Sequence, residues 1–323
     1  MIKTVTVCGS GVLGGQIAYQ CAFHGFDVRV YDISEEAIAR GRVQIESLPA
    51  ELQRDLGATP EQTAAGLTRL SYHTDLAQAV QGADLVIEAV PENLEIKREF
   101  YRQLAEVAAP DTIFVTNSST LLPSDIAEAT GRPDRFLALH FANRIWRNNT
   151  AEVMGSPATS PEIFGQIVEF AGQIGMVALP LYKEQPGYIL NSLLVPWLNA
   201  ALDLVVREVA DPHTVDRTWM IATKAPLGPF ATYDIVGLTT AYHINQARGK
   251  AGDPRGAAAA AYLKDRIDRG LLGMGTGEGF YTYPDPAYRH PDFLTPAKAD
   301  PANVDSAKAD PAEATLAEGQ AQD

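Results

Sequence analysis

Cysteine is nearly absent from this chain, which has only Cys8 and Cys21 among 323 residues. Both lie in apolar segments, and their spacing is not that of a metal-binding pair, so neither a disulfide framework nor a cysteine metal site is expected. The six histidines also lack the H-x₃-H spacing of ligands on one helical face. These scarcities favour a reducing, cytoplasmic compartment and a protein without a metal site.

Positive charge and long apolar runs are scarce as well. Lysine and arginine together number 26 against 40 acidic residues, and the net charge of −14 argues against nucleic-acid binding through a broad basic surface. No run of about 18 apolar residues occurs, so no membrane span is expected. The first residues, MIKTVTVCGSG, lack the basic start, apolar core and cleavage site of a secretion signal, which also favours the cytoplasm.

Strand and helix patterns alternate along the first half of the chain. A long helical region at 35–66 has Pro49 and Gly57 as expected breaks. The alternation predicts an α/β fold, a Rossmann-type doubly wound and mostly parallel sheet. The predicted buried strands are residues 3–8, 27–31, 84–90, 113–117 and 136–140.

The pattern becomes helical near residue 184, beginning with a long apolar segment at 188–209. The last residues are rich in Ala, Asp, Pro and Glu, and AKADPA occurs at both 297–302 and 307–312. Such a composition buries too little apolar surface to offset the loss of chain entropy. We predict three parts: a Rossmann domain at 1–183, an all-helical substrate and dimerisation domain at 184–290, and a disordered acidic tail at 291–323.

A glycine-rich turn follows the first predicted strand. It reads Gly9-Ser10-Gly11-Val12-Leu13-Gly14 and matches G-x-G-x-x-G, whose glycines permit a tight turn, close approach of a pyrophosphate and close helix–strand packing. Asp32 ends the next predicted strand, where an acid binds the ribose hydroxyls and repels a 2′-phosphate. The alternative is a plain turn with a helix-capping aspartate. The strand–turn–helix–strand context favours a site for NAD rather than NADP.

Further motifs, taken in order along the chain, match the pattern of one enzyme family. In order they are PENLEIK at 91–97, NSST at 117–120, HFAN at 140–143, PGYILN at 186–191 and GLLGMGTGEGFYTY at 270–283. Over about residues 1–285 the chain resembles the NAD-dependent (S)-3-hydroxyacyl-CoA dehydrogenases, including the bacterial 3-hydroxybutyryl-CoA dehydrogenases. The resemblance implies hydride transfer between NAD and the 3-hydroxy or 3-oxo group of an acyl-CoA, a role in fatty acid metabolism, and a homodimer formed through the helical domain.

The resemblance also implies a catalytic pair, His140 and Glu152. His140 ends a predicted strand, and its imidazole titrates near neutrality, which suits it to accept the proton of a substrate hydroxyl. Glu152 lies on the next predicted strand, TAEVMG, and would orient the ring and stabilise its protonated form. The structural alternative is a buried histidine paired with a carboxylate that takes no part in chemistry.

Five more residues match positions of the resembled family. Ser119 and Asn191 would contact the reacting oxygen of the substrate, with Ser119 also near the cofactor. Glu92 and Lys97 would lie near the cofactor ribose and the nicotinamide or CoA side, and Asn143 would contact the nicotinamide amide. Their structural alternatives are a helix cap for Ser119, a locally bonded helix residue for Asn191, a helix start for Glu92 and a solvated side chain for Lys97.

Three departures from the family pattern concern the substrate. Ala142 is followed by Arg144, Ile145, Trp146 and Arg147, where the family has small apolar residues. The stretch 43–72 has no lysine, whereas the family's arm carries lysines that meet CoA phosphates, and Gly275 replaces a further lysine. These departures leave open a free hydroxy acid, gulonate- or carnitine-like, held by Trp146, Arg144 and Arg147. A non-catalytic dinucleotide-binding protein is the third alternative.

Overall fold

A computed structural model describes residues 2–295 of the chain. They form two compact units, the first ending at Leu194 and the second beginning at Val195. The first unit contains one eight-stranded sheet. Its strands are β1 Thr4–Cys8, β2 Asp27–Tyr31, β3 Leu70–His73, β4 Leu85–Glu88, β5 Ile113–Thr116, β6 Phe136–Phe141, β7 Thr150–Gly155 and β8 Val177–Leu181.

Helices follow most of these strands and then dominate the second unit. The helices are α1 Val12–Phe23, α2 Glu35–Leu56, α3 Pro60–Thr68, α4 Leu76–Val80, α5 Leu94–Val107, α6 Pro123–Ile126, α7 Pro161–Gln173, α8 Tyr188–Val206, α9 Pro212–Thr223, α10 Pro229–Val236, α11 Leu238–Lys250 and α12 Pro254–Asp268. Short 3₁₀ turns lie at Ala127–Thr130, Pro133–Arg135, Met274–Thr276, Ala287–Arg289 and Pro291–Leu294.

The strand order is β3-β2-β1-β4-β5-β6-β7-β8. Every neighbouring pair is parallel except β6 and β7, which run antiparallel. From β1 the order runs to β2 and β3 on one side and to β4 and β5 on the other, so the strand order reverses between β1 and β4. Ligands of such sheets bind at the carboxyl ends of the strands at this point. The predicted fold class, a doubly wound and mostly parallel sheet followed by a helical domain, is confirmed.

Two features of this unit differ from the predictions. Strands β3 and β8 were not predicted; they form the two edges of the sheet, where most of their side chains are only partly buried, and β8 contains Pro180, which argues against a strand. Pro49 does not break the helix: α2 continues through it, since Ile45, Leu48 and Leu52 are buried along one face. The break at Gly57 is confirmed, because that residue ends α2 in the left-handed conformation with a φ of 68°.

The second unit is helical throughout its long elements. Gly237, with a φ of 90°, separates α10 from α11. The prediction that disorder begins at residue 291 is wrong for Pro291–Leu294, because Phe293 is buried and its ring meets those of His213 and Tyr281 edge-on. The repeated AKADPA segments lie outside the described residues.

Helix α8 is unusually apolar. By length and composition alone it is the one helix of the described chain that could cross a membrane: over 18 residues its mean hydropathy is 1.6, and only 22% of that stretch is buried. A helix that packs against another protein surface passes the same test, so this property does not assign a membrane.

Candidate active site

The glycine-rich turn forms an open cradle at the carboxyl end of β1. Gly9 has a φ of 105°, and a Cβ atom there would lie 2.4 Å from the carbonyl oxygen of Ala89. A Cβ on Gly14 would lie 1.9 Å from the carbonyl oxygen of Gly9, so both positions require glycine. A Cβ on Gly11 would meet nothing within 4 Å. The space beside Gly11, together with the start of α1 at Val12, fits a pyrophosphate.

A cavity of about 220 Å³ opens from this cradle toward the ends of β4 and β5. The cavity extends from the turn that is predicted to bind the pyrophosphate to Glu92, Lys97 and Ser119. These three residues are predicted to lie near the nicotinamide side of the cofactor. Its lining residues are Gly11, Val12, Leu13, Gly14, Ala89, Val90, Glu92, Lys97, Asn117 and Ser119.

Asp32 is fixed by the glycine-rich turn itself. Its Oδ2 atom accepts hydrogen bonds from the backbone nitrogen of Ser10 at 2.8 Å and from the Ser10 hydroxyl at 2.6 Å, and Oδ1 accepts from the nitrogen of Ile33 at 2.8 Å. The alternative of a helix-capping aspartate is wrong, because the cap of α2 is Ser34. Oδ1, which accepts only one hydrogen bond within the described chain, keeps capacity to accept another, as ribose binding requires.

His140 and Glu152 are directly opposite each other on the antiparallel strands β6 and β7. The Nδ1 atom of His140 lies 2.8 Å from Oε2 of Glu152, and both side chains are buried. The other oxygen, Oε1, accepts hydrogen bonds from the backbone nitrogens of Ile189 and Leu190, at 2.8 and 2.9 Å, in the first turn of α8.

These contacts favour the ionised form of Glu152. Burial acts to raise the pKa of Glu152, but the hydrogen bonds from His140, Leu190 and Ile189 outweigh it and hold the pKa below its usual value. An ionised Glu152 favours a proton on Nδ1 of His140, which leaves Nε2 as the basic nitrogen. Among residues 2–295 no side chain or backbone group bonds to Nε2.

A buried ion pair supports the wall of the cavity at Lys97. Lys97 Nζ lies 2.5 Å from Oε1 of Glu88 and 3.3 Å from Oε2 of Glu92. The side chain of Lys97 is only 1% exposed, so the alternative of a solvated lysine is wrong. Burial raises the pKa of Glu88 in spite of the ammonium group beside it. Glu88 was not singled out from the sequence, although a carboxylate in an otherwise apolar strand was the available signal.

Glu92 holds the NSST loop in place. Its Oε1 atom accepts hydrogen bonds from the Ser118 hydroxyl at 2.6 Å and from the backbone nitrogens of Ser119 and Thr120, both at 2.9 Å. Burial acts to raise the pKa of Glu92, but the bond from Ser118 and the charge of Lys97 lower it below its usual value. Ser119 does not cap the following helix, because the N-cap residue of α6 is Leu122. The Ser119 side chain lies on the cavity wall.

The two predicted asparagines lie away from this cavity. Asn191 is in the first turn of α8, where its backbone nitrogen donates to the carbonyl of Gly187 at 3.0 Å. Asn143 is exposed, and its carbonyl accepts from the side chain of Asn148 at 2.7 Å. Asn117 lines the cavity and accepts a hydrogen bond from the nitrogen of Phe141 at 3.0 Å. Its place directly after β5 was the signal that could have identified it.

Trp146 does not form the carboxylate pocket considered from the sequence. Its side chain is buried in the core of the first unit, and its indole nitrogen donates to Oδ2 of Asp55 on α2 at 3.0 Å. Arg144 and Arg147 are exposed, and Arg144 has a left-handed φ of 58°. The prediction failed because an aromatic residue among polar neighbours gives no indication of which way its ring points.

A sheet of this order, a glycine cradle bonded to the acid that follows β2, and a His–Glu pair at the same sheet edge define an NAD-dependent oxidoreductase. The family model for "3-hydroxyacyl-CoA dehydrogenase, NAD binding domain" matches residues 4–185, and that for "3-hydroxyacyl-CoA dehydrogenase, C-terminal domain" matches residues 187–283. The chain belongs to the 3-hydroxyacyl-CoA dehydrogenase family, and its cofactor is NAD.

Similar proteins cover nearly the whole described chain. Hydroxyacyl-coenzyme A dehydrogenase, mitochondrial, from Rattus norvegicus is 36% identical over 290 residues, 88% of this chain and 92% of the relative. Probable 3-hydroxybutyryl-CoA dehydrogenase from Deinococcus radiodurans is 34% identical over 278 residues, 86% and 99% of the two chains. A solved structure described as "Substrate-directed dual catalysis of dicarbonyl compounds by diketoreductase" has a TM-score of 0.84 and 56% identity, covering 87% of this chain and 99% of that chain.

Proposed function

We propose that this protein interconverts the 3-hydroxy and 3-oxo groups of its substrate by a His–Glu acid–base mechanism coupled to NAD. The observation that carries the proposal is the 2.8 Å contact between His140 Nδ1 and Glu152 Oε2 at the carboxyl edge of the sheet. The nicotinamide of bound NAD supplies the hydride acceptor. His140 Nε2 takes the proton from the substrate hydroxyl during oxidation and returns it during reduction.

Each neighbouring residue has one task in this proposal. Glu152 fixes the tautomer of His140 and stabilises the protonated ring. The hydroxyl of Ser119 and the side-chain amide of Asn191 bind the reacting oxygen of the substrate, which carries partial negative charge in the transition state. Lys97 and Glu92 bind on the ribose and nicotinamide side, and Asn143 contacts the nicotinamide amide. Asp32 binds the adenosine ribose and selects NAD.

The leading substrate class is a (S)-3-hydroxyacyl-CoA, such as 3-hydroxybutyryl-CoA. This choice rests on the family and on the names of the curated relatives, several of which are hydroxyacyl- or hydroxybutyryl-CoA dehydrogenases. The reaction on such a thioester needs an acid–base pair, groups that bind the reacting oxygen, and bound NAD. This chain has residues for each of these three tasks.

A second candidate is a dicarbonyl compound or free hydroxy acid that carries no CoA. The segment 43–72 has no lysine, and its two arginines are already engaged. Arg54 pairs with Asp55 at 3.0 Å, and Arg69 pairs with Asp27 at 3.1 Å. Phosphate groups of CoA would therefore meet little free positive charge on this segment. The solved structure that is 56% identical is described as a diketoreductase.

Oxidation of NADH, followed by absorbance, tests both candidates. The purified protein is given acetoacetyl-CoA, free acetoacetate and a diketone without CoA at matched concentrations, with His140→Gln as the inactive control. Turnover of the thioester alone supports the CoA reaction, and turnover of the diketone or the free acid alone supports the second candidate. No turnover of any of the three would overturn the proposed function.

We propose that the protein works as a cytoplasmic homodimer that pairs through the helical domain, residues 184–290. The support is apolar surface that α8 leaves uncovered in one protomer: Ile189 and Leu193, four positions apart, are 45% and 69% exposed. Residues with this spacing share one face of a helix, and an exposed apolar face favours association with another protein surface.

A further inference from the structure

Tyr188 lies against the catalytic histidine. The centroids of the Tyr188 and His140 rings are 4.6 Å apart, and their planes differ by 26°, which is a stacked arrangement. The side chain of Tyr188 is completely buried and packs with Ala138, Met154 and Leu181. One face of the imidazole is thus covered by an aromatic ring, while its edge is held by Glu152.

The backbone of Tyr188 is in an unusual conformation. Its φ is 55°, in the left-handed region that is unfavourable for a residue with a large side chain. Gly187, directly before it, also has a positive φ of 78°. The two residues turn the chain sharply into α8, and the turn directs the Tyr188 ring onto His140. A strained residue of this kind persists where its surroundings hold it, and such residues cluster at functional sites.

The hydroxyl of Tyr188 does not account for this placement. It is buried and has no hydrogen-bond partner among residues 2–295, and burial raises its pKa above the usual value. An unpaired buried hydroxyl costs stability, so the benefit of a tyrosine here must come from its ring.

The residues that follow hold the other member of the pair. Ile189 and Leu190 donate their backbone nitrogens to Oε1 of Glu152, at 2.8 and 2.9 Å. Of three consecutive residues, Tyr188 therefore contacts His140, and Ile189 and Leu190 contact Glu152. Asn191, which comes next in the same turn, is the residue assigned to the substrate oxygen.

We propose that Tyr188 is a positioning residue that fixes the plane of the His140 ring through stacking, so that Nδ1 meets Glu152 while Nε2 faces the substrate. This inference rests on the proposed acid–base role of His140. Without the stacked ring, the imidazole can rotate away from the line between Glu152 and the substrate oxygen. A misplacement of about 1 Å in a catalytic group costs up to about 10²-fold in rate.

Three variants separate the ring from the hydroxyl and from general packing. Tyr188→Phe keeps the ring and should retain kcat within about twofold of the wild type. Tyr188→Leu removes the flat ring and should lower kcat by about 10- to 100-fold, with the Kd for NADH unchanged because Tyr188 does not line the nucleotide cavity. Phe170→Leu is the matched control: this ring is equally buried but packs on Phe26, so the variant should lose melting temperature and keep kcat. If Tyr188→Leu does not fold, Tyr188→Met takes its place.

A second readout does not depend on turnover. The ring-proton signals of His140, assigned by comparison with His140→Gln, should move in Tyr188→Leu and stay in place in Tyr188→Phe, because the neighbouring ring current is lost only in the first. A loss of kcat in Tyr188→Phe equal to that in Tyr188→Leu would overturn the inference, since the hydroxyl would then be the active part. Full kcat in Tyr188→Leu or Tyr188→Met would also overturn it. If the wild type shows no turnover, the proposed function is overturned, but the stacking is not. The stacking is overturned separately if the His140 signals do not move in Tyr188→Leu.

Discussion

The ammonium group of Lys97 lies 2.5 Å from Oε1 of Glu88, and exposure is 1% for the first side chain and 0% for the second. Glu88 also accepts hydrogen bonds from the nitrogen of Val90 at 2.8 Å and from the hydroxyl of Thr116 at 2.7 Å. A buried charge with so many donors is stable only while its partners remain. The pair thus links the cavity wall at Lys97 to the interior of the sheet.

Removing Lys97 alone should destabilise the protein strongly. Lys97→Met leaves Glu88 as a buried carboxylate without its cation, and we expect a loss of about 3–5 kcal/mol in the free energy of unfolding near neutral pH. Because burial already raises the pKa of Glu88, and the loss of Lys97 raises it further, the loss should be smaller at pH 5 than at pH 8. The double variant Glu88→Gln with Lys97→Met should recover part of the stability. Urea unfolding at both pH values measures these differences, and an equal loss at the two pH values would contradict the explanation.

His140 and Glu152 should behave as one catalytic unit. His140→Ala should lower kcat by about 10²–10⁴-fold, and Glu152→Gln should also reduce it because the protonated ring loses its stabilising charge. The double variant should be little worse than the worse single variant, since residues that act together are not additive. NADH affinity should be retained in all three. If the two losses instead multiply, the residues act independently.

The pH dependence of activity offers a separate check of Glu152. In Glu152→Gln the protonated His140 ring loses the neighbouring carboxylate charge that stabilises it. The pH of half-maximal activity on the acid side of the oxidation profile should therefore fall. A profile that does not move, or that moves to higher pH, would contradict the proposed stabilisation.

Asp32 should determine the preference for NAD over NADP. Asp32→Ala removes the carboxylate that binds the ribose hydroxyls, so it should weaken NADH binding and narrow the ratio of kcat/KM between the two cofactors. Asp27→Ala, at the other end of β2, changes the same charge on an exposed residue and should leave that ratio unaltered. Equal kcat/KM for NADH and NADPH in the wild type would refute the assignment.

Dimerisation should depend on α8. Leu193→Glu places a charge on a 69% exposed position of the proposed interface and should produce monomers in sedimentation at micromolar concentration. Val43→Glu is the control, because Val43 is also 69% exposed but lies on α2. A wild type that is already monomeric at this concentration would exclude the proposed dimer.

The sequence predicted the central strands and the loop at Gly9 well because both depend on local chemistry. A buried parallel strand must be an apolar run, and a pyrophosphate turn needs glycine at fixed positions. The edge strands β3 and β8 were not predicted because only part of each strand is buried. The helix break predicted at Pro49 was wrong because the burial of Ile45 and Leu52 outweighs the loss of one backbone hydrogen bond.

The site was less predictable wherever a role depends on what a side chain faces. The opposition of His140 and Glu152 across two strands follows from their spacing and a short connection, so it could be anticipated. The burial of Lys97, the turn of Trp146 toward Asp55 and the stacking of Tyr188 arise from tertiary packing. No periodicity or motif in the surrounding residues specifies those directions.

The bond between Ser10 and Asp32 restricts how the enzyme could evolve toward another cofactor. Ser10 is 2% exposed, and both its backbone nitrogen and its hydroxyl donate to the Asp32 carboxylate. A lineage that replaced Asp32 to accommodate a 2′-phosphate would leave the backbone nitrogen of Ser10 without its acceptor, whereas the Ser10 hydroxyl could still donate to the carbonyl oxygen of Ala37 at 3.1 Å. Gly41 of α2 packs so closely on Ser10 that a Cβ at position 41 would lie 2.4 Å from the Ser10 side chain, so position 41 requires glycine while Ser10 is in place. A change of cofactor preference through Asp32 therefore also disturbs the contacts of Ser10 with the glycine-rich turn and with α2.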